Sequence, residues 1–444
     1  MLECTWPWVE DVPLENPLLS PLIMGRYQGG GNGETPMVWI PAMVEVGLGA
    51  LAFGPFLLHR WSVGRWRKTP LAYPEASQKM KEQPMVVLLP VWNEGLIIEQ
   101  KLANLAEQKG SKVELLVIDS ASTDDTLALT KAWLKANPEA FGSNELIEMK
   151  QRLGKSSAVQ QALESLEARA FSGLICMTDA DAQLPANGLE RLRGWFANPT
   201  VGAVGASARR LGGVGGEHTH RSMFELLREG ESARDSTPFL EGSLMMWRSS
   251  SFQSHQLNIR SNADDAQIAT QVRLNGLRSI HDGGVHFTDV APTTDEGQRR
   301  QKIRRAQGLQ RLLLRQRKHW WNPRLGAFSS ILRREAHFHL AAPLLMVGVA
   351  AAAVLRWGTV MTIGMPNGSL ALVHGCLAMA ELLGLTAWAL HRNGMKFPGI
   401  ATIGSVLTGM EHLLAAMWTS FRGRSLHMWD QHDDTRKVAS NRKD

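Results

Sequence analysis

Gly173–Pro185 reads GLICMTDADAQLP: an apolar run, Leu174 to Met177, leads directly into two aspartates separated by one alanine. Asp179 and Asp181 cannot both be buried without partners, because an unpaired carboxylate in a low dielectric is very costly. One reading is a strand end followed by a polar turn, since aspartate is common in turns. The other is a divalent-metal and phosphate site at the carboxyl end of a parallel strand, where open α/β sheets bind ligands. The surrounding chain has to decide between them.

Upstream, Met85–Pro90 (MVVLLP) is a short continuous apolar run of the kind that buried parallel strands show. Ile98, Leu102 and Leu105 then recur at helical spacing. Val113–Asp119 (VELLVID) is a second buried strand, followed by SASTDDT, whose serine and aspartate residues suit a turn and a helix cap. Downstream, Ala203–Ser207 and Ser243–Trp247 are shorter strand candidates. Strands alternating with helices predict a mostly parallel sheet covered on both faces. The glycine-rich LGGVGGEHTH reads as a mobile loop, and no internal repeat is present.

The 444 residues allow more than one domain. The net charge of +6 favours anionic small ligands or lipid headgroups over a duplex-DNA face. Cys4, Cys176 and Cys376 form neither a disulfide framework nor a CxxC pair, which fits a reducing compartment; Cys176 reads as a small core residue. The acidic first residues lack a positively charged signal-peptide start. Met37–Leu58, Phe338–Leu355, Leu370–Leu390 and Phe397–Phe421 are apolar runs near the ~20 residues that a membrane span needs. The first is interrupted by one charge, Glu45, and the second by none; the third contains His374 and Glu381, and the fourth Glu411 and His412. Basic flanks at residues 59–68 and before Phe338 predict an integral, multi-pass membrane protein whose central region is cytoplasmic, with the nearly uncharged 356–369 outside. A fourth span would put a basic tail outside, so three or four spans remain open, the fourth run being alternatively re-entrant or interfacial.

Several motifs then follow in one order: VVLLPVWNE, ELLVIDSASTDDT, GKSSAVQQAL, TDAD, LEGSLMMWR, ADDAQIATQVRLNG and QKIRRAQG. Together they resemble the family-two glycosyltransferases, specifically the membrane-embedded branch with cellulose, hyaluronan and poly-N-acetylglucosamine synthases and ceramide glucosyltransferase. The resemblance implies an α/β, GT-A (Rossmann-like, mostly parallel sheet) catalytic domain flanked by transmembrane helices. The expected organisation is an acidic segment 1–36, a transmembrane helix 37–60, a GT-A domain 83–308 and an interfacial amphipathic helix 309–330. A transmembrane region of two or three helices, 337–421, and a basic tail 422–444 complete it.

By the same resemblance Asp181 is the metal-binding aspartate, with Mg2+ or Mn2+ as cofactor, and Asp179 faces the ribose and first phosphate beside it. Asp119 holds the base and ribose, Ser120 stands where a second aspartate is frequent, and Lys155 reaches the nucleotide or remains solvated. Asp124 reads as a helix cap. Asp265 matches the base that takes the acceptor proton, with Asp264 in place of the family's glutamate. Two adjacent carboxylates can raise one another's pKa, which suits a base working near neutral pH; an acidic first helix turn is the plainer alternative. Gln301 and Arg304 fit the family's QxxRW, the guanidinium suiting a diphosphate. Arg305 replaces the tryptophan that packs against the acceptor sugar in polysaccharide synthases. His218, His220, His281 and His286 read as surface or loop residues.

The implied partners are a nucleotide-sugar donor, a lipid or saccharide acceptor and the membrane, with no nucleic acid. The favoured reading is inverting transfer to a lipid or lipid-linked saccharide; a processive polysaccharide synthase is the alternative. A nucleotidyltransferase or dinucleotide oxidoreductase lacks its glycine-rich phosphate loop here, where PVWNEG stands instead. A non-catalytic membrane scaffold finds support in Ser120 and Arg305, against intact Asp119, Asp179, Asp181 and Asp265.

Overall fold

The computed structural model describes residues 35–75, 80, 82–110, 113–211, 217–290, 294–395, 399–426, 436 and 440. The expected acidic segment before residue 35, and most of the basic tail, lie outside these residues. So does the centre of the glycine-rich stretch.

A seven-stranded sheet of order β3-β2-β1-β4-β6-β5-β7 forms the middle of the chain. Its strands are β1 (Met85–Val91), β2 (Glu114–Asp119), β3 (Ser143–Glu148), β4 (Leu174–Thr178), β5 (Val201–Leu211), β6 (Leu244–Arg248) and β7 (Arg278–Val290). Only β6 runs against its neighbours, so the sheet is mostly parallel. Side chains alternate across a strand, so each continuous apolar run divides between two faces. Val87, Leu89, Leu115, Val117, Leu174 and Cys176 join one core, while Val86, Leu88, Leu116, Ile118, Ile175 and Met177 join the other. Each such fully buried side chain contributes about 1.5–3 kcal/mol. The first face is covered by α2 (Ile98–Ala106) through Ile98, Leu102 and Leu105. The second is covered by α4 (Lys155–Ala168) and α7 (Asp264–Leu274), which bring Ala158, Val159, Ile268 and Val272.

The remaining helices of the soluble part are α3 (Thr126–Ala136), α5 (Gly188–Gly194), α6 (Glu217–Arg234), α8 (Asp295–Arg315) and α9 (Ala327–Ala336). Because β1, β2 and β4 are parallel neighbours, their carboxyl ends open at one edge of the sheet. The TDAD stretch follows β4 directly there.

Among the described residues, four helices are long and apolar enough to cross a membrane: Trp39–Trp66, Ala327–Ile363, Gly368–Arg392 and Ile400–Phe421. They are α1 (Thr35–Trp66), α9 continuing through a π-turn (His337–Ala341) into α10 (Ala342–Ile363), α11 (Gly368–Arg392) and α12 (Ile400–Phe421). The first is fastened to the sheet domain by His59, whose Nε2 lies 2.8 Å from Glu231 on α6 and 3.8 Å from Glu335 on α9.

Some local expectations change. Residues 217–220 of the glycine-rich stretch begin α6 and are not loop. His281 is buried in β7, where its Nε2 lies 3.0 Å from Ser207 Oγ, and His286 is also on that strand; neither is a loop residue. The second apolar run does not stop at Leu355, because α10 continues to Ile363 and carries Arg356 with it. That arginine explains two of the acidic interruptions, Glu45 and Glu381. Its Nε donates to Glu45 at 2.8 Å, its Nη2 to Glu381 at 2.6 Å, and its Nη1 meets His374 Nδ1 at 2.6 Å. Three helices thus share one fully buried guanidinium.

Removing one partner of a buried ion pair costs about 3–5 kcal/mol, because the other charge stays buried. Arg356→Leu should therefore lower the thermal unfolding midpoint of the detergent-solubilised chain markedly. Arg356→Leu with Glu45→Leu and Glu381→Leu should recover most of the loss. An unchanged midpoint in the single variant contradicts the packing role.

Candidate active site

The edge where β1, β2 and β4 end is lined by short turns with unusual backbone. Three of the four described non-glycine residues at positive φ are here: Asn93, Ala121 and Ala263 (54°, 58° and 64°). Each costs of order 1–3 kcal/mol and persists where its surroundings demand it. Asn93 follows β1, Ala121 follows β2, and Ala263 aims the first turn of α7 at the same opening. Asp264 and Asp265 occupy that first turn, where the helix dipole favours negative charge.

These ends surround a cavity of about 990 Å³. Lys155, Asp179, Asp181, Asp264, Asp265, Gln301 and Arg304 all line it, although they come from four separate parts of the sequence. Asp119 is not among the lining residues: it is buried at the end of β2, where its Oδ2 accepts from Ser122 N at 3.1 Å. Among the described residues its Oδ1 is buried without a hydrogen-bond partner, as is Ser120 Oγ. Asp124 accepts from Thr126 N (3.0 Å) and Gly95 N (3.0 Å), so it both caps α3 and ties the turn after β1 to it.

Lys155 is the link between the two acidic pairs. Its Nζ lies 2.5 Å from Asp179 Oδ1 and 3.7 Å from Asp264 Oδ2. Burial pulls the ammonium's pKa down, but Asp179 and Asp264 outweigh it and hold the group above its ordinary value. The same contact overcomes burial at Asp179 and holds that carboxyl below its usual range. Ser243 Oγ donates to Asp179 Oδ2 at 2.9 Å, and the adjacent Gly242 N donates to Asp265 Oδ2 at 3.0 Å. A Cβ at Gly242 would stand 3.2 Å from both Cβ and Oδ2 of Asp265, so the close approach suits glycine. Burial and the neighbouring Asp264 push Asp265 up to about 6.

Several participants carry no signal in the sequence reading. Lys101 on α2 is fully buried beneath the acidic loop, donating to Thr178 Oγ1 at 2.8 Å and to the Ala182 carbonyl at 2.5 Å. Burial lowers it to about 7. Glu94, the last residue of the VVLLPVWNE stretch, is fully buried, and burial, only partly offset by Arg436, raises it to about 8. Arg436 itself stands far along the chain. Its Nη1 donates to Asp181 Oδ2 at 2.6 Å, while Nη2 and Nε lie 2.6 Å from the two oxygens of Glu94. Arg228 on α6 also lines the cavity and donates to Glu241 at 2.7 Å.

The donor set fits a hard divalent cation. Asp179 and Asp181 offer carboxylate oxygens, the ligand type of Mg2+ and Mn2+. A cationic guanidinium already stands against Asp181, which marks the spot as one built to hold positive charge. Among the described residues, His281 and His286 join no ligand set; the one His/Glu cluster is His59, Glu231 and Glu335, away from this cavity.

Residues 86–255 match the family model for Glycosyl transferase family 2. The structure resembles that of a mannosyltransferase from Pyrobaculum calidifontis in complex with GDP-Man and Mn2+. The two superpose with a TM-score of 0.67 at 28% identity, covering 87% of this chain and 100% of that one. A poly-beta-1,6-N-acetyl-D-glucosamine synthase of Staphylococcus aureus is 22% identical over 237 residues, 51% of this chain and 55% of that protein. A dolichyl-phosphate beta-glucosyltransferase of Saccharomyces cerevisiae is 32% identical over 114 residues, 24% of this chain and 32% of that protein. The chain thus spans about half, or less, of the length of these two curated relatives.

The charge arrangement makes a direct prediction. Lys155 lowers the pKa of Asp265, opposing burial and Asp264. Lys155→Met should therefore move the titration of Asp265 upward from about 6, as followed by carboxyl bands in infrared difference spectra. A midpoint that stays put or falls contradicts the bridging role of the lysine.

Proposed function

The chain carries a Glycosyl transferase family 2 domain, and from that premise we propose that it is a membrane-bound, inverting glycosyltransferase. Its donor is a nucleotide sugar and its acceptor a lipid or lipid-linked saccharide. The observation that carries the proposal is the single cavity in which Asp179 and Asp181 face Asp264 and Asp265 across Lys155.

In this reading Asp179, Asp181 and Lys155 receive the diphosphate end of the donor, and Asp119 at the end of β2 holds its base and ribose. Asp181, beside Asp179, holds Mg2+ or Mn2+, which when bound would supply Lewis-acid stabilisation of the departing diphosphate. Arg304 and Gln301 on α8 stand on the other wall, where a guanidinium suits phosphate oxygens. Asp265 takes the proton of the acceptor hydroxyl as that oxygen attacks the anomeric carbon opposite the leaving group. A carboxylate raised to about 6 is a stronger base than an ordinary aspartate and is still ionised at neutral pH. Asp264 raises its neighbour's basicity, and the Gly242 amide fixes its orientation.

The acceptor side of the cavity supports a lipid-borne substrate. Phe224, Phe239, Ile303 and Leu309 give it apolar wall, and His339 and Thr419 line it from the turn before α10 and the end of α12. The site therefore opens beside helices long and apolar enough to span a bilayer. Arg305 lines the same cavity where the family's tryptophan would stand, which suits an acceptor other than a stacked polymer. The basic stretches at the end of α1 and before α10 favour a cytoplasmic catalytic region.

Asp265→Asn keeps the shape of the side chain but removes the base. It should retain donor binding and lose transfer by the ~10²–10⁴-fold typical of general acid–base catalysis, while Asp264→Asn should be milder. The unaltered chain should gain activity as pH rises through about 6 and level off above, because the base works deprotonated. Equal, mild losses in both variants would identify ADDAQ as only a charged helix start and favour the scaffold reading.

A further inference from the structure

Asp181 and Glu94 face one cation. The guanidinium of Arg436 is a two-pronged partner of Glu94, with Nε and Nη2 each 2.6 Å from a carboxylate oxygen, and its Nη1 lies 2.6 Å from Asp181 Oδ2. Arg436 and Glu94 are both buried, so the contact is not a screened surface pair. The neighbouring Asp179 is already neutralised by Lys155. Asp181 is therefore the carboxylate of the pair whose charge is balanced from outside the GT domain.

Arg436 belongs to the segment that follows α12, and the start of that segment is anchored beside the cavity. Gln307 on α8 donates to the Arg424 carbonyl at 2.9 Å and accepts from Leu426 N at 2.8 Å. Arg311 donates to Ser425 Oγ at 2.6 Å. Arg424, Leu426 and Arg436 all line the same cavity as the acidic pairs.

We infer that Arg436 is a built-in competitor for the divalent cation at Asp181, so that its guanidinium occupies the cation's place until the metal and nucleotide displace it. This rests on the reading of Asp181 as the metal ligand. Two cations cannot share one carboxylate oxygen at contact distance, because their mutual repulsion in a buried site is strong. The guanidinium and the ion therefore exclude one another at Asp181 Oδ2. By reciprocity, whatever frees Arg436 tightens the metal, and whatever binds the metal loosens Arg436. Glu94 keeps the arginine poised: a buried carboxylate pushed up to about 8 gains most when a cation pairs with it.

The test is a Mn2+ titration of the full chain in detergent without any donor, reading free Mn2+ by electron paramagnetic resonance. Arg436→Ala should bind Mn2+ about 5-fold or more tightly than the unaltered chain, the lower end of common coupling strengths. A gain in affinity cannot come from misfolding. Because Arg436→Ala leaves Glu94 buried alone, Glu94→Gln with Arg436→Ala is the decisive variant, and it should show the same gain. Unchanged or weaker Mn2+ binding in that double variant overturns the proposal. Adding Asp181→Ala to the double variant separates the two layers. Loss of Mn2+ binding assigns the ion to Asp181, whereas binding that survives removes the metal reading and the competition with it.

Discussion

The bridge from Lys155 to Asp179 and Asp264 is the contact on which the site depends. It joins the carboxyl end of β4 to the first turn of α7, two places separated by the whole of β5, α6 and β6 in sequence. The four aspartates Asp179, Asp181, Asp264 and Asp265 repel one another across the cavity, and the ammonium between them offsets that repulsion. The lysine at the start of α4 is held by the packing of Ala158, Val159 and Ala162 against β1 and β2. Core packing thus sets the position of a charge, and the charge sets the spacing of the acids.

That arrangement divides labour by environment. Asp179, paired with an ammonium and a hydroxyl, stays ionised and suits a role as a fixed negative charge. Asp265, half-buried and next to another carboxylate, is raised toward neutrality and suits proton transfer. Two chemically identical side chains acquire different tasks from their neighbours alone. The membrane-side wall adds a third element, because the cavity that holds the acids also reaches residues at the ends of candidate spans.

The apolar runs of β1, β2 and β4 and the acids at their ends were legible because buried parallel strands are nearly all apolar, so the break into TDAD stands out. Two strands were not. β3 (SNELIE) is an edge strand with mixed exposure, and β7 (RSIHDGGVHFTDV) is polar and interrupted by two glycines. Neither shows a run or a clean alternation. Lys101 was hidden for a similar reason: a lysine within a helix reads as solvated, and only the fold shows it lying under the acidic loop. Arg356 begins the nearly uncharged stretch 356–369 that reads as external, whereas it lies inside α10 and its partners Glu45, His374 and Glu381 come from two other helices. Glu94 with Arg436 is a contact across 342 positions, which no local pattern announces.

The most direct measurement is nucleotide release by the full chain, purified in detergent with Mn2+ or Mg2+, from a panel of UDP-, GDP- and dTDP-sugars, with and without membrane lipid extract. A membrane-bound transferase acting on a lipid-borne acceptor predicts release from one nucleotide class that rises when the extract is added. Release from no donor under either condition, by a chain that remains folded, would contradict the account.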